Sequence, residues 1–270
     1  MSKALVGLVA AALVLGADVA HARLSSNRLA SNRLPPHKLA ASTAAANPLS
    51  IGKLAKDTYA ANPAAIDGLM TTAEGQELLA FIVSCALPAD TTLEATDPDG
   101  TKLEFFGGLG LAKSWLRRPL NAVGRGWVSA CLFARTNDNN VTNPLSMRGP
   151  HRALAVDPQE AALWTVEEGA FYGDYFTPDD ASIACRGKDQ AAGESGSLAL
   201  RDCAEPDPTD LSRTPCGFIY AGDCGDFAPA PVCEHFPADG HGFYRNCHAQ
   251  PIVPHDKSSK SKQVITIFLQ

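Results

Sequence analysis

Carboxylate side chains are concentrated between residues 160 and 180, and four of them have the chemistry of acid–base catalysts: Glu160, Glu167, Glu168 and Asp174. Aromatic residues are interleaved with them. Enzymes that cleave glycosidic bonds use two carboxyl groups about 5–10 Å apart. On the helix predicted here, Glu167 and Glu168 point about 100° apart, whereas Glu160 and Glu167 share a face about 10 Å apart. A solvated helix with an aromatic core face is the simpler interpretation, and a carboxylate hydrolase is the alternative.

Cysteines and histidines gather in the last quarter of the chain, a composition typical of zinc sites. The histidines are His235, His241, His248 and His255, and they cluster with Cys216, Cys224, Cys233 and Cys247. The spacing follows no zinc motif, because there is no CxxC pair and no HxxxH. We therefore predict disulfides with solvated histidines in this region, no bound metal and no cofactor.

Cys131 is the cysteine for which a role as nucleophile can be argued. It lies in a predicted helix with His151 downstream. Thiol proteases place the reactive cysteine at a helix N-terminus, where the helix dipole lowers the thiol pKa. Cys131 instead falls in the middle of the helix, on its apolar face, and the sequence motif of such proteases is missing. A structural disulfide is the preferred interpretation.

The even number of cysteines indicates disulfides, as is usual in exported chains. They are Cys85, Cys131, Cys185, Cys203, Cys216, Cys224, Cys233 and Cys247. Cys85 and Cys131 each lie on the apolar face of a predicted helix, so we expect a bond that joins the two helices. For the others we expect bonds between nearest neighbours, Cys185–Cys203, Cys216–Cys224 and Cys233–Cys247, although eight cysteines allow 105 pairings.

The first residues follow the pattern of a secretory signal peptide. Lys3 precedes an apolar stretch over 4–16, and Ala20 and Ala22 form a small-x-small cleavage site. The stretch is shorter than the roughly 20 residues of a transmembrane helix. We predict a signal peptide over residues 1–22, a mature chain without a transmembrane segment, and a secreted or periplasmic location.

A five-residue repeat follows the predicted cleavage site. Leucines recur at positions 24, 29, 34, 39, 49 and 54. This period fits neither a helix nor a strand, and the units are too few to stack into a stable β-solenoid. We predict a low-order leader or linker over 23–65, whose basic residues are a hypothetical docking tag for another envelope component. Residues 66–270 are predicted to form one disulfide-stabilised globular domain.

The elements of that domain begin with a helix and a hairpin. We predict that Thr71 and Glu74 form a capping box at the start of the first helix and that Pro88 ends it. Two strands follow, over 93–96 and 102–106, separated by a turn that contains proline and glycine.

Two more helices and several short strands complete the prediction. One helix covers about 121–136, and another starts at Asp157 and Pro158 and continues toward Tyr175. Strands are expected over 182–185, 197–201, 217–220 and 264–269. The predicted fold class is α+β, with a helical N-terminal half packed with short antiparallel strands and a loop-rich, disulfide-stapled C-terminal half.

Five short segments resemble those of a group of uncharacterised exported proteins of myxobacteria, which also carry short Asn/Leu-type repeats before a cysteine-containing domain. The segments are VSCAL (83–87), WVSACL (127–132), SMRG (146–149), EEGAFYG (167–173) and CGFIYAGDC (216–224). The resemblance covers about 70–270. It implies export and a single domain, and it implies no activity.

Charge and composition narrow the possible functions. The formal net charge is −6, which argues against nucleic acid and anionic membranes as partners, because both require basic patches. The sequence predicts an exported, non-catalytic binding or structural protein with an unidentified envelope or extracellular partner. The alternative is a secreted hydrolase that uses carboxylates of the 160–180 segment.

Overall fold

The computed structural model describes residues 29–31, 68–136, 144–155, 157–176, 182–189, 219–225, 232–236, 242–248 and 260–270. The helices are α1 (Ala73–Ala86), α2 (Ala122–Ala134) and α3 (Pro158–Leu163). The strands are β1 (Leu29–Ser31), β2 (Thr92–Thr96), β3 (Lys102–Phe106), β4 (Pro144–Arg148), β5 (Val166–Gly173), β6 (Ser182–Arg186), β7 (Ile219–Asp223), β8 (Glu234–Phe236), β9 (Phe243–Arg245) and β10 (Ile265–Leu269). The mixed α+β class is confirmed. The predicted signal peptide and the predicted strand over 197–201 lie outside the described residues.

Helix α1 starts one residue later than the capping-box prediction. The hydroxyl of Thr72, not of Thr71, accepts a hydrogen bond from the backbone N–H of Gly75 at 3.0 Å. Thr71 instead donates its hydroxyl to the carbonyl of Gly68 at 2.9 Å. The helix ends at Ala86, before Pro88, as predicted.

The hairpin and the second helix form where the sequence predicts them. Strands β2 and β3 pair antiparallel. The Asp97 carboxylate closes their turn by accepting from the backbone N–H groups of Asp99 and Thr101. Helix α2 follows Asn121, whose side-chain oxygen accepts from the N–H of Gly124 at 2.8 Å.

The third predicted helix is correct at its start and wrong in its length. The Asp157 carboxylate accepts from the N–H groups of Gln159 and Glu160, so the predicted cap is present. Helix α3 nevertheless ends at Leu163, and residues 166–173 form strand β5. The chain is extended there because β5 pairs antiparallel with β10 on one side and with β6 on the other.

The main sheet has six strands in the order β1-β4-β10-β5-β6-β7. Neighbours are antiparallel except β6 and β7, which are parallel. Strand β1 pairs with β4 at the edge of the sheet. It lies within the predicted leader 23–65. The other residues of 23–65 are not among those described.

Each face of the sheet is covered by a different part of the chain. The larger core cluster joins α1 and α2 to the sheet and includes Phe171 of β5 and Ile265 of β10. The smaller cluster includes Tyr172 of β5 together with Tyr244 of β9. Neighbouring residues of β5 thus point into different cores, as side chains alternate along a strand. The central strand is therefore buried on both faces.

Three disulfides are present among the described residues. Cys85–Cys131 joins α1 to α2, and Cys233–Cys247 flanks the β8–β9 hairpin, so both of these predictions are confirmed. Cys185 bonds to Cys224, which contradicts the predicted pairs Cys185–Cys203 and Cys216–Cys224. The parallel pairing of β6 with β7 places Arg186 opposite Asp223 and so brings Cys185 next to Cys224. Cys203 and Cys216 are outside the described residues.

We predict that the disulfides differ in their contribution to stability according to their loop lengths. The double variant Cys85→Ala/Cys131→Ala should lower the free energy of unfolding by about 4 kcal/mol, because this bond closes a loop across 46 residues. The matched variant Cys233→Ala/Cys247→Ala, with a separation of 14 residues, should lower it by about 3 kcal/mol. Urea unfolding of both variants measures the difference, and the reverse order would contradict the prediction.

Candidate functional site

The four candidate carboxylates are all buried. Glu167 and Glu168 have no exposed surface, and Glu160 and Asp174 are 7% and 8% exposed. The preferred interpretation of this segment as a solvated helix is therefore wrong. The helical geometry expected for the pairs Glu160–Glu167 and Glu167–Glu168 is also wrong, because Glu160 lies on α3 and the other two lie on β5.

A β-bulge lies where β5 carries the two adjacent glutamates. Ile267 of β10 is opposite Gly169, but the next residue, Phe268, is opposite Glu167. Glu168 is thus the extra residue on β5. Bulges of this kind redirect side chains and are frequent next to functional sites.

Glu160 is connected to strand β4 through a serine. The Ser146 hydroxyl donates to Oε1 of Glu160 at 2.5 Å, and it accepts from Nε of Arg148 at 3.2 Å. Ser146 and Arg148 are two apart on β4 and therefore point to the same face of the sheet. These residues, together with Glu167 and His235, are called the buried carboxylate cluster below.

Arg148 is the buried cation of this cluster. Its Nη2 donates to the backbone carbonyl of Trp164, and its guanidinium lies 3.6 Å from the centre of the Phe268 ring. Burial lowers the pKa of Arg148 from its ordinary value, while the negative charges of Glu160 and Glu167 oppose that shift. Burying a charge is tolerated when opposite charges and hydrogen bonds compensate the lost hydration.

Glu167 links the cluster to the C-terminal hairpin. Its Oε2 is 3.2 Å from Nε2 of His235, and its Oε1 accepts from the backbone N–H of Lys188 at 3.2 Å. Its own N–H donates to the carboxylate of Asp189 at 2.9 Å. The carboxylate of Glu167 is thereby held by both the hairpin and the segment after β6.

His235 is the member of the cluster that reaches solvent. Its side chain is 33% exposed. The imidazole packs edge-on against Tyr244, with ring centres 5.0 Å apart. Gly242 lies so close to the imidazole that a Cβ at this position would overlap with it. A buried carboxylate that orients a half-exposed imidazole is an arrangement that can accept or donate a proton at the surface.

Asp174 takes part in a different interaction. Its Oδ2 accepts from Nε of Arg125 on α2 at 2.8 Å, and its Oδ1 accepts from the backbone N–H of Phe176. Asp174 therefore holds the end of β5 against α2. It shows no bond to the buried carboxylate cluster among the described contacts.

The candidate nucleophile and two of the candidate metal-binding histidines have other roles in the structure. Cys131 is bonded to Cys85 and is not a nucleophile in this state. His235 contacts Glu167, and the carbonyl of His248 accepts from the Tyr172 hydroxyl. Positions 241 and 255 are outside the described residues. Within the described part of the chain, the side chains close enough to share a metal ion are three cysteines, all of them in disulfides: Cys185, Cys224 and Cys233.

Sequence reasoning missed Ser146, Arg148 and the contact between Glu167 and His235. The signal for the first two is the alternation of Ser146 and Arg148 with the apolar residues Leu145 and Met147, which is typical of a strand. No local signal connects Glu167 with His235, because 68 residues separate them.

Comparisons with models of known protein families, with curated proteins and with solved structures find no match. Within the described residues, no helix is long and apolar enough to cross a membrane.

We predict that stability falls below neutral pH through His151. Its Nδ1 accepts from the N–H of Ala153 at 3.1 Å, which requires an unprotonated nitrogen. Burial, Arg152 and Lys113 lower the pKa of His151 below 6.5. The unfolded chain therefore binds more protons, and this contribution, complete above pH 6.5, is lost as the pH falls from 6.5 toward the folded-state pKa, with a slope of at most about 1.4 kcal/mol per pH unit.

The variant His151→Asn keeps a cap acceptor but does not titrate. Urea unfolding of the wild type and of this variant between pH 7.5 and 5 isolates the contribution of His151, because the other groups act equally in both. Identical pH slopes in the two proteins would contradict the prediction.

We predict that Arg148→Met lowers the free energy of unfolding by about 3 kcal/mol, because it leaves buried carboxylates without their cation. Adding Glu167→Gln should recover part of this loss by removing one buried charge. The matched control Arg118→Met, at an exposed position, should change stability by less than about 0.5 kcal/mol. Urea unfolding measures all three, and equal effects of Arg148→Met and Arg118→Met would refute the role assigned to the cluster.

Proposed function

We propose that this chain is an exported, non-catalytic binding or structural protein of the cell envelope or extracellular space. The observation that carries the proposal is the burial of the four candidate carboxylates, Glu160, Glu167, Glu168 and Asp174. A carboxyl group that acts on a substrate must be able to touch it. Glu160 instead accepts a hydrogen bond from the buried Ser146, and Glu167 contacts the partly exposed His235.

The aromatic residues of the same segment support this proposal. Phe171, Tyr172 and Phe176 are at most 4% exposed. They pack inside the protein, and the partly buried Tyr175 packs against the larger core. Residues 160–176 therefore have the properties of a structural segment that contributes side chains to both cores.

Export is supported by the cysteines and by the first residues. Disulfides form and persist in oxidising compartments, and three bonds tie the described residues together. The pattern of residues 1–22 is that of a cleavable signal peptide. The partner is an envelope or extracellular component, and the acidic net charge argues against nucleic acid.

A secreted hydrolase is the second candidate function, and one contact favours it. The imidazole of His235 is partly exposed and is oriented by Glu167 at 3.2 Å. In this alternative, His235 would act as the general base, and Glu167 would position it. The hydrolase would then depend on a residue outside 160–180, with only its orienting carboxylate inside that segment.

The test uses the chain exported from a bacterial host and purified from the periplasm or medium. We expect a mature N-terminus at Arg23 and no free thiols after denaturation without reductant. We also expect no hydrolysis of p-nitrophenyl esters or glycosides above the rate of His235→Gln. Recovery of the chain in the cytoplasm with its first residues intact would refute export.

The matched variants separate the two candidate functions. His235→Gln and Glu167→Gln remove the proposed base and its positioning residue, and His248→Gln is the control at a neighbouring histidine. A hydrolytic rate that falls at least about tenfold in the first two and persists in His248→Gln would overturn the non-catalytic proposal in favour of the hydrolase.

A further inference from the structure

Two disulfides of the C-terminal half meet in one buried group of sulfur atoms. The Sγ atoms of Cys185 and Cys233, which belong to different disulfides, are 3.6 Å apart. The Sγ atoms of Cys185, Cys224 and Cys233 all lie within 4.8 Å of one another, and Cys247 is bonded to Cys233. These four residues, each at most 1% exposed, are called the four-sulfur cluster.

Backbone hydrogen bonds hold the cluster in addition to the S–S bonds. The N–H of Cys224 donates to the carbonyl of Arg186, and the N–H of Cys233 donates to the carbonyl of Cys224, both at 2.8 Å. Cys247 exchanges two backbone hydrogen bonds with Ser261. The positions of the cysteines thus have support that does not depend on the oxidation state of sulfur.

We propose that the reduced four-sulfur cluster is a tetrathiolate site for a thiophilic divalent cation such as zinc. Zinc binds four thiolates tetrahedrally at about 2.3 Å, which places the sulfur atoms about 3.8 Å from one another. The separation of 3.6 Å between Cys185 and Cys233 already fits this geometry. After both S–S bonds open, rotation of the side chains must separate the two bonded pairs to about 3.8 Å. The same rotation must bring the Sγ of Cys247, which lies outside the group of three, toward those of Cys185 and Cys224.

The change from disulfides to metal site is a reduction followed by ligand exchange. Each disulfide takes two electrons and two protons from a dithiol, which itself becomes a disulfide, and yields two thiols. A phosphine reductant gives the same thiols and becomes a phosphine oxide with oxygen from water. Zinc then displaces the four thiol protons, and its own oxidation state does not change.

The metal would replace the disulfides as the link between the two parts of this core. Cys185 and Cys224 lie on β6 and directly after β7, whereas Cys233 and Cys247 flank the hairpin of β8 and β9. One ion bound to all four would hold the hairpin on the sheet wherever disulfides cannot persist. This inference does not depend on the proposed function, because it concerns the reduced chain.

The experiment titrates the purified mature protein with zinc and with cobalt, after reduction by a phosphine and without oxygen. We expect one zinc ion retained per chain after gel filtration, and a tetrathiolate absorption spectrum for cobalt that zinc abolishes. Zinc should raise the melting temperature of the reduced protein by at least about 5 °C. A reduced protein that retains no zinc would overturn the proposal.

Protection from alkylation identifies the ligands without any substitution. Zinc should slow the modification of the four cluster cysteines by iodoacetamide at least about tenfold relative to the zinc-free reduced protein, as read by mass spectrometry. The modification rates of Cys85, Cys131, Cys203 and Cys216 should be the same with and without zinc. Protection of Cys203 and Cys216 in place of the cluster would overturn the assignment.

Variants provide an independent check. Cys224→Ser should bind zinc more than about a hundredfold more weakly. The matched controls Cys85→Ser/Cys131→Ser and Cys203→Ser/Cys216→Ser should retain one ion, with circular dichroism confirming that each variant is folded. Unchanged affinity in Cys224→Ser would refute the site. Zinc in the protein as purified, before reduction, would instead count against the disulfide-stabilised protein proposed above.

Discussion

Strand β5 must be buried on both of its faces, and the other elements are arranged to meet this requirement. It lies between β10 and β6 in the main sheet. Phe171 points into the core formed with α1 and α2, and Tyr172 points into the core closed by the C-terminal hairpin. Both coverings contain disulfides: Cys85–Cys131 joins the helices, and two further bonds meet beneath the hairpin. Each face of the sheet needs its own covering layer, because an apolar face left in water would not gain the free energy of hydrophobic burial.

The same burial explains the buried carboxylate cluster. Glu167 on β5 is removed from water, so its charge needs partners within the protein. His235, the N–H of Lys188 and the charge of Arg148 supply them. These partners come from three separate parts of the chain. The polar cluster therefore favours the native arrangement of strands over alternatives in which the hairpin or β4 is displaced, since any displacement would leave a buried charge uncompensated.

Helix α3 shows where local signals stop being decisive. Asp157 and Pro158 correctly predict its first turn, because a cap depends on neighbouring backbone N–H groups alone. The residues that follow, including Glu167 and Glu168, are also compatible with a helix by local propensity, since glutamate is a good helix former. These residues form a strand because β10 and β6, which are distant in sequence, supply hydrogen bonds to both of its edges. The two cores supply apolar partners to its two faces. Similarly, neither the bulge in β5 nor the contact between Glu167 and His235 is indicated by any short sequence pattern.

The sequence by itself determined the α+β class, the hairpin of β2 and β3, the starts of helices α2 and α3 and the bond between Cys85 and Cys131. These features depend on helix caps, turn residues and apolar periodicity, and each of these is a pattern within a short stretch of sequence. Only the tertiary structure decided that Cys185 bonds to Cys224, that residues 29–31 join the sheet, and that four carboxylates are buried instead of solvated. The pairing of strands from distant parts of the chain, as between β6 and β7, selects these contacts. Such pairing is governed by competition among all strands for burial and hydrogen bonds, which no single segment encodes.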